Sequence, residues 1–521
     1  MAAENPQSRR RFLLFLFSVL MICLSPTMSH RQNLQLKTGS RITTTTTFNV
    51  SASLAEARRA VSFDTTSSDR LLPSPSSSSS ISSYAMTLPL FSRDFFPSAD
   101  GYDTQRHRDY EALTLERFAR DAARVRSIAS RLALAVGGMS SSDLNALLAE
   151  EKVVWRSARG WLNGSIVSGG STGSGEYFSR VRIGTPGTEL YMVLDTGSDV
   201  NWIQCLPCAD CYEQVDPIFD PSASSSYAPL SCQSSQCRSL NISSCVKTAR
   251  KRRCLYQSTY GDGSYSIGEF VKETITFGSS VRVSGVAIGC GFDNGGNLKG
   301  AAGLLGLGGG PLSFISQIAA RSFSYCLVDR DSDASSILNI SVADSATREP
   351  VTAPLVRNPR LSTFRYVEVT GMSVGGKMLP VPPSEFAVDE GSGKGGVVVD
   401  SGTVVTRLSP PVYTALRDAF RAAMGKKLPM VEGRFMLDTC YNLSGRTSVK
   451  VPTVMFHFPR GQALPLLAKN CLVSLDGAGT YCLAFAPTTV PFSVIGNIQQ
   501  QGIRVSYDLA NNLVGFAPNA C

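Results

Sequence analysis

A chain of 521 residues, 43% of them hydrophobic, is long enough to fill two domain cores. Its net charge of +9 sits mostly ahead of residue 161, where 20 Lys and Arg face 14 Asp and Glu, against 30 and 27 in the remainder. This distribution argues against a nucleic-acid partner, since no basic stripe is interleaved with aromatics and the run Lys251-Arg252-Arg253 is short.

In chain order, Arg9-Arg10-Arg11 followed by the apolar run from Phe12 to Ile22 reads as a secretory signal peptide occupying residues 1–29. The run is too short for a comfortable membrane span, and no later stretch is longer or more apolar, so no stable membrane insertion is expected. The last residues, Gly515 to Cys521, lack the hydrophobic tail of a lipid-anchor signal. The expected location is the secretory pathway: extracellular or apoplastic, or retained in the endoplasmic reticulum or vacuole. Fourteen cysteines in such a chain imply disulfides. Cys205, Cys208 and Cys211 have spacing that also suits a metal. However, no His is near, and Cys232, Cys237, Cys245 and Cys254 follow as in a knotted insert, so disulfides are expected there, with no metal and no cofactor. His30, His107 and His457 accompany no Ser or Cys nucleophile motif, which argues against triad chemistry.

Residues 31–100 are rich in Ser and Thr, with runs at Thr43–Thr47 and Ser76–Ser80, a composition that predicts disorder. From Arg108 to Ala135 the apolar residues Tyr110, Leu113, Leu115, Phe118, Ala122, Val125, Ile128 and Leu132 recur at helical spacing among Arg and Asp, predicting an amphipathic helix. The joint Ser168–Gly175 breaks all periodicity, and Glu176–Pro186 then reads as a strand ending in a turn. From there on, short β-branched runs are punctuated by Gly, Asn and Pro, with helical spacing only near Leu312–Ala319 and Val412–Met424, so the body is expected to be mainly β.

One pattern occurs twice. Val193-Leu194-Asp195-Thr196-Gly197-Ser198 returns 205 residues later as Val398-Val399-Asp400-Ser401-Gly402-Thr403. Either Asp-hydroxyl-Gly tripeptide alone is an ordinary turn. Two copies, each delivered by an aliphatic run and set a domain apart, point to one shared site, where close carboxylates cannot both ionise and can serve as base and acid in one turnover. Each is followed by a hydrophobic pair and a glycine, Leu304-Leu305-Gly306 and Val494-Ile495-Gly496, which suggests duplicated lobes.

On these turns the sequence resembles the pepsin-like aspartic proteases, and on the cysteine-rich segment 205–254 their plant nepenthesin type. The resemblance implies a bilobal pepsin-like double β-barrel with an active-site cleft between lobes. It implies a propeptide at 30–165, an N-terminal lobe at 170–345 and a C-terminal lobe at 346–521, connected through Asp329–Ser336. Asp195 and Asp400 would be the catalytic pair. Thr196 and Ser401 would brace the turns against each other, Ser198 and Thr403 would bond the outer carboxylate oxygens, and Gly197 and Gly402 would fill places without room for a side chain. Tyr256–Ser264 resembles a substrate-covering flap, with Tyr260 at its working end, Gly261 and Gly263 giving mobility, and the Trp202 indole against the tyrosine. The basic helix, with Arg117, Arg120, Arg124 and Arg126, would lie over or beside a cleft made negative by the pair.

Once Cys23 leaves with the signal, 13 cysteines remain, an odd number. Cys326 and Cys521, both at ends of strands that could join an interlobe sheet, are expected to pair, as are Cys440 and Cys482. Cys471 is then the odd one, and pairing among the other eight, including Cys290, stays open. Sequons at Asn49, Asn163, Asn241, Asn339 and Asn442 permit glycosylation. The function expected is a monomeric acid endopeptidase acting on proteins and peptides and made as a zymogen. The alternatives are an inactive inhibitor-like binding protein on the same fold, resembling xylanase inhibitors that have lost the pair, and a disulfide-rich structural wall protein.

Overall fold

The computed structural model describes residues 44–62, 85–92, 94, 109–137, 177–247, 252–260, 264–278, 281–296, 298, 300–332, 334–343, 349–425 and 428–521. The signal peptide, the joint at 168–175, Asn163, Gly261 and Gly263 lie outside the described residues.

The two aspartate turns owe their positions to buried parallel strand pairs. The strand Thr188–Asp195 is buried from Leu190 onward because it runs between an antiparallel neighbour, Tyr177–Ile183, and a parallel one, Gly303–Gly306. Burial on both faces explains its unbroken apolar run, where a half-exposed strand would alternate. In the second lobe Val397–Val399 runs parallel to Ser493–Ile495 in the same way. The glycines after each hydrophobic pair permit close backbone approach: a Cβ on Gly306 would lie 2.7 Å from the Ser198 carbonyl oxygen, and one on Gly496 would lie 2.6 Å from that of Val404.

The lobes meet in a sheet in which Ser322–Cys326 pairs with both Ser336–Ser341 and Ile503–Asp508, the latter also pairing Leu513–Pro518. Disulfides join Cys205 to Cys290, Cys208 to Cys211, Cys232 to Cys245, Cys237 to Cys254, Cys326 to Cys521 and Cys440 to Cys482. Cys471 is free and buried.

The expectation of disorder across residues 31–100 is corrected. Thr45–Asn49 forms a strand antiparallel to Ser448–Pro452, Val50–Ser62 is a helix, and Ala85–Ser92 is a strand antiparallel to Ser336–Ser341 that also reaches Tyr177–Phe178. Composition averaged over 70 residues hides these pieces, because each uses an edge and apolar ground supplied by the body. Phe48, Val50, Met86, Leu88 and Leu90 are buried there. The amphipathic helix spans Tyr110–Gly137 and is started by Asp109, whose carboxylate accepts the Ala112 N–H at 2.7 Å. In the body, helices form at Phe314–Gln317 and Pro410–Met424, and also at Ser235–Arg238 and Asn497–Gln500, where four residues are too few to show a period.

Candidate active site

Asp195 and Asp400 come together. Both are buried, and their turns are tied across the lobes: Thr196 Oγ1 accepts the Ser401 N–H at 3.0 Å, lies 3.1 Å from Ser401 Oγ and 3.2 Å from Asp400 Oδ1, to which it donates. Each carboxylate accepts the N–H two residues on, Asp195 Oδ1 from Gly197 at 2.9 Å and Asp400 Oδ1 from Gly402 at 3.2 Å. Beneath the turns, Asn201 Oδ1 accepts the Gly306 N–H at 2.9 Å, and Thr406 Oγ1, at the matching place six residues after its aspartate, accepts the Gly496 N–H at 3.0 Å. Repeated geometry thus follows the repeated sequence.

Between the carboxylates lies Arg124, from the leading helix. Its guanidinium donates to Asp195 through NH1 at 2.9 Å and NH2 at 2.5 Å, and to Asp400 through Nε at 3.1 Å and NH2 at 3.0 Å. Burial alone would depress the guanidinium, but the two carboxylate charges and their hydrogen bonds outweigh it and hold its pKa well above the ordinary value. Burying a guanidinium costs several kcal/mol, and only good geometry offsets that. Four charge-assisted bonds, each worth about 1.5–3 kcal/mol, are of the size required. Gly197 and Gly402 leave room for it, since a Cβ would come within 2.2 Å of Arg124 NH2 at Gly197 and 3.0 Å of its Cζ at Gly402.

Apolar contacts seat the same helix. Val125 and Ile128 pack with Phe364, Phe492 and Val494, and Phe118 packs with Val404, Val405 and Leu437. Toward its start, Arg117 is buried between Asp94 at 2.7 Å and Asp331 at 2.8 Å, with the Tyr110 hydroxyl donating to Asp331 at 2.6 Å. Arg120 pairs with Asp94 and Glu116, whereas Arg126 is exposed.

The chain matches the family models described as xylanase inhibitor N-terminal, over residues 177–340, and xylanase inhibitor C-terminal, over residues 365–518. It is 48% identical over 415 residues to aspartyl protease family protein 2 of Arabidopsis thaliana, covering 79% of this chain and 82% of that one. With the protein Aspartic Protease in Guard Cell 2 of the same plant it shares 45% identity over 446 residues, 84% and 88% of the two chains. The chain belongs to the aspartic protease family. The crystal structure of edgp has the same bilobal pepsin-like fold, with a TM-score of 0.55 at 21% identity over 68% of this chain and 93% of that one.

One expectation about this aspartic protease is corrected. Thr403 Oγ1 donates to Asp400 Oδ2 at 2.7 Å, but Ser198 Oγ is buried with no hydrogen-bond partner among the described residues. Arg124 donates to both oxygens of both carboxylates, so the difference lies in the hydroxyls: Thr403 Oγ1 reaches Asp400 Oδ2 beside the Arg124 Nε, and Ser198 Oγ makes no such bond. Trp202 Nε1 donates to the Tyr260 hydroxyl at 2.8 Å, and both rings are buried at the end of the hairpin strand Arg252–Thr259.

Sequence reasoning missed Asp121 and Arg407. The Asp121 carboxylate accepts the Val404 N–H at 2.6 Å and the Val405 N–H at 3.3 Å and is ion-paired with Arg407. No motif marks either residue. The available signal was that Asp121 lies three positions before Arg124, on the same helix face.

Proposed function

We propose that this aspartic protease hydrolyses peptide bonds in proteins and peptides at acidic pH through Asp195, Asp400 and an activated water, and that it is made as a zymogen blocked by residues 30–165. The observation that carries the reading is Arg124, whose cation fills the space between two carboxylates where a water and a scissile carbonyl would have to sit. Two carboxylates this close keep one proton between them once the guanidinium leaves. The ionised member then takes a proton from water and the protonated member polarises the carbonyl. Tyr260, held by Trp202, would cover substrate and help exclude water.

The six disulfides among the described residues and the leader-like N-terminus support passage through the secretory pathway, ending outside the cell or in the endoplasmic reticulum or vacuole. The family models carry the name of xylanase inhibitors, which keeps a binding role on the same fold in view, yet both aspartates and the Trp202–Tyr260 pair are retained here. The test is hydrolysis of a denatured protein at mild acid with and without a pepstatin-type inhibitor, using the full chain and a form starting near Gly170. Inhibitor-sensitive cleavage is expected, with latency only in the full chain. No cleavage by either form overturns the protease mechanism, and equal activity of both at neutral pH overturns the zymogen.

A further inference from the structure

The contact made by Asp121 is a carboxylate site built from the body of the protein. Val404 and Val405 supply two backbone N–H groups, and the Arg407 guanidinium closes the third side. Asp121 is fully buried and Arg407 is 7% exposed, so the pairing takes place out of water. The walls are tied into the sheet of the second lobe. Arg407 sits in the strand Thr406–Leu408, which pairs with Phe485–Pro487 and with Val494, and Thr406 donates its N–H and hydroxyl to Gln499 at 3.2 and 2.5 Å. Residues Val404 to Arg407 follow directly on the Asp400 turn, so the site belongs to the cleft wall and does not depend on the leading segment.

We propose that this site is a substrate subsite selecting an acidic side chain, Asp or Glu, close to the scissile bond. The inference rests on the proteolytic reading above. When the helix leaves, two N–H groups and the Arg407 guanidinium lose their carboxylate partner, and a ligand that brings a carboxylate regains those charge-assisted bonds. A substrate Asp or Glu restores it with the geometry that Asp121 shows, whereas Asn or Gln presents one oxygen, no charge and an NH2 that clashes with the donors. Spacing sets the position. Asp121 and Arg124 lie three residues apart, a rise of about 4.5 Å along a helix, which an extended peptide spans in one to two residues at about 3.3 Å each. The acidic side chain is therefore expected one or two residues from the bond cleaved at the Asp195–Asp400 pair. Phe118, packed on Val404 and Val405, marks an apolar neighbour beside the acid site.

The experiment uses the full chain after acid release of its leading segment, assayed about one unit above the ordinary carboxylate range with two matched sets of fluorogenic peptides. The sets differ only in carrying Asp or Glu against Asn or Gln at each of the two positions on either side of the scissile bond. The expected result is a kcat/KM ratio of acid to amide on the order of tenfold or more at one position, the size of one charge-assisted contact. Arg407→Gln should bring that ratio towards one, Arg407→Lys should restore part of it, and Arg407→Glu should bring it below one, favouring the amide set. A wild-type ratio near one at all four positions overturns the subsite, as does a preference that survives Arg407→Gln in folded protein. If no peptide is cleaved, the proteolytic reading fails separately. Equilibrium binding of the same labelled peptides then decides the site, with tighter binding of the acid set supporting it and equal binding of the two sets overturning it.

Discussion

Arg124 grips Asp195 end-on, with its two terminal guanidinium nitrogens on the two carboxylate oxygens, a geometry that lysine cannot reproduce. The same cation reaches Asp400, so one residue of the leading helix couples the carboxylates of both lobes. Replacing it by Gln keeps some hydrogen bonding and removes the charge. Breaking a buried pair from one side costs about 3–5 kcal/mol, which is roughly two to four powers of ten in occupancy of the cleft. Uncut Arg124→Gln protein is therefore expected to hydrolyse a small peptide at mild acid while the uncut wild type stays latent. Assays on protein verified as full-length decide this, and equal latency of the two would remove Arg124 from the blocking role.

Substitution of either aspartate separates chemistry from fold. Asp195→Asn and Asp400→Asn are nearly isosteric, and each keeps an oxygen for the Gly197 or Gly402 N–H. The fold should survive while proteolysis falls by about 10²-fold or more, the usual scale of general acid and base catalysis. Melting temperature and kcat measured on one preparation check both halves, and near-normal turnover in either variant would exclude that residue from the mechanism.

The site was largely legible because its chemistry is local: an aspartate, a hydroxyl residue and a glycine after an aliphatic run, written twice. Thr196, Ser401 and Thr403 could be assigned from it, since the turn itself fixes where their hydroxyls go. Ser198 was misread because whether its hydroxyl reaches the carboxylate depends on the folded surroundings of the turn and not on the tripeptide: it is buried with no hydrogen-bond partner among the described residues. The strands Thr45–Asn49 and Ala85–Ser92 were missed for a related reason. Their stability comes from the edges of Ser448–Pro452 and Ser336–Ser341, and a composition window holds no information about edges elsewhere. Asp121 and Arg407, 286 residues apart, form a pair that only the folded chain creates.

Cysteine chemistry gives a further test. Cys471 is buried, and burial pushes its thiol up to about 12, so almost no thiolate exists at neutral pH. Native protein should leave Cys471 unmodified by iodoacetamide, while unfolding without reduction should expose it. Mass mapping reads the site directly, and rapid native alkylation of Cys471 would contradict its burial. By contrast, removing the Cys326–Cys521 bridge, which closes 195 residues, should cost about 2–5 kcal/mol and lower the melting temperature.

The last prediction concerns how acid loosens the leading segment, and two carboxyls beside Asp329–Asp331 pull in opposite directions. Burial would raise Asp331, but the Arg117 and Arg330 charges and the hydrogen bonds from Tyr110 and Arg117 outweigh it and hold it below the ordinary carboxylate range. Its contribution is fully present above the unfolded value near 3.9 and is lost as the pH falls through the lower folded value. Glu56, on the helix Val50–Ser62, is raised by partial burial first and then by the charges of Asp329 and Asp331. Its contribution has the reverse sign: it is complete below the unfolded value near 4.3 and is lost as the pH rises through the higher folded value. From these two groups the segment is expected to be held most firmly near pH 4, with mild acid tightening the contact before stronger acid releases it. Hydrogen exchange of the helix Tyr110–Gly137 across pH 2.5–7, corrected for intrinsic rates, should show protection peaking near that pH. Glu56→Gln should flatten the rise on the neutral side, and Asp331→Asn should abolish the fall on the acid side. Protection that declines steadily from pH 7 downward in the wild type would show that other carboxyls govern release.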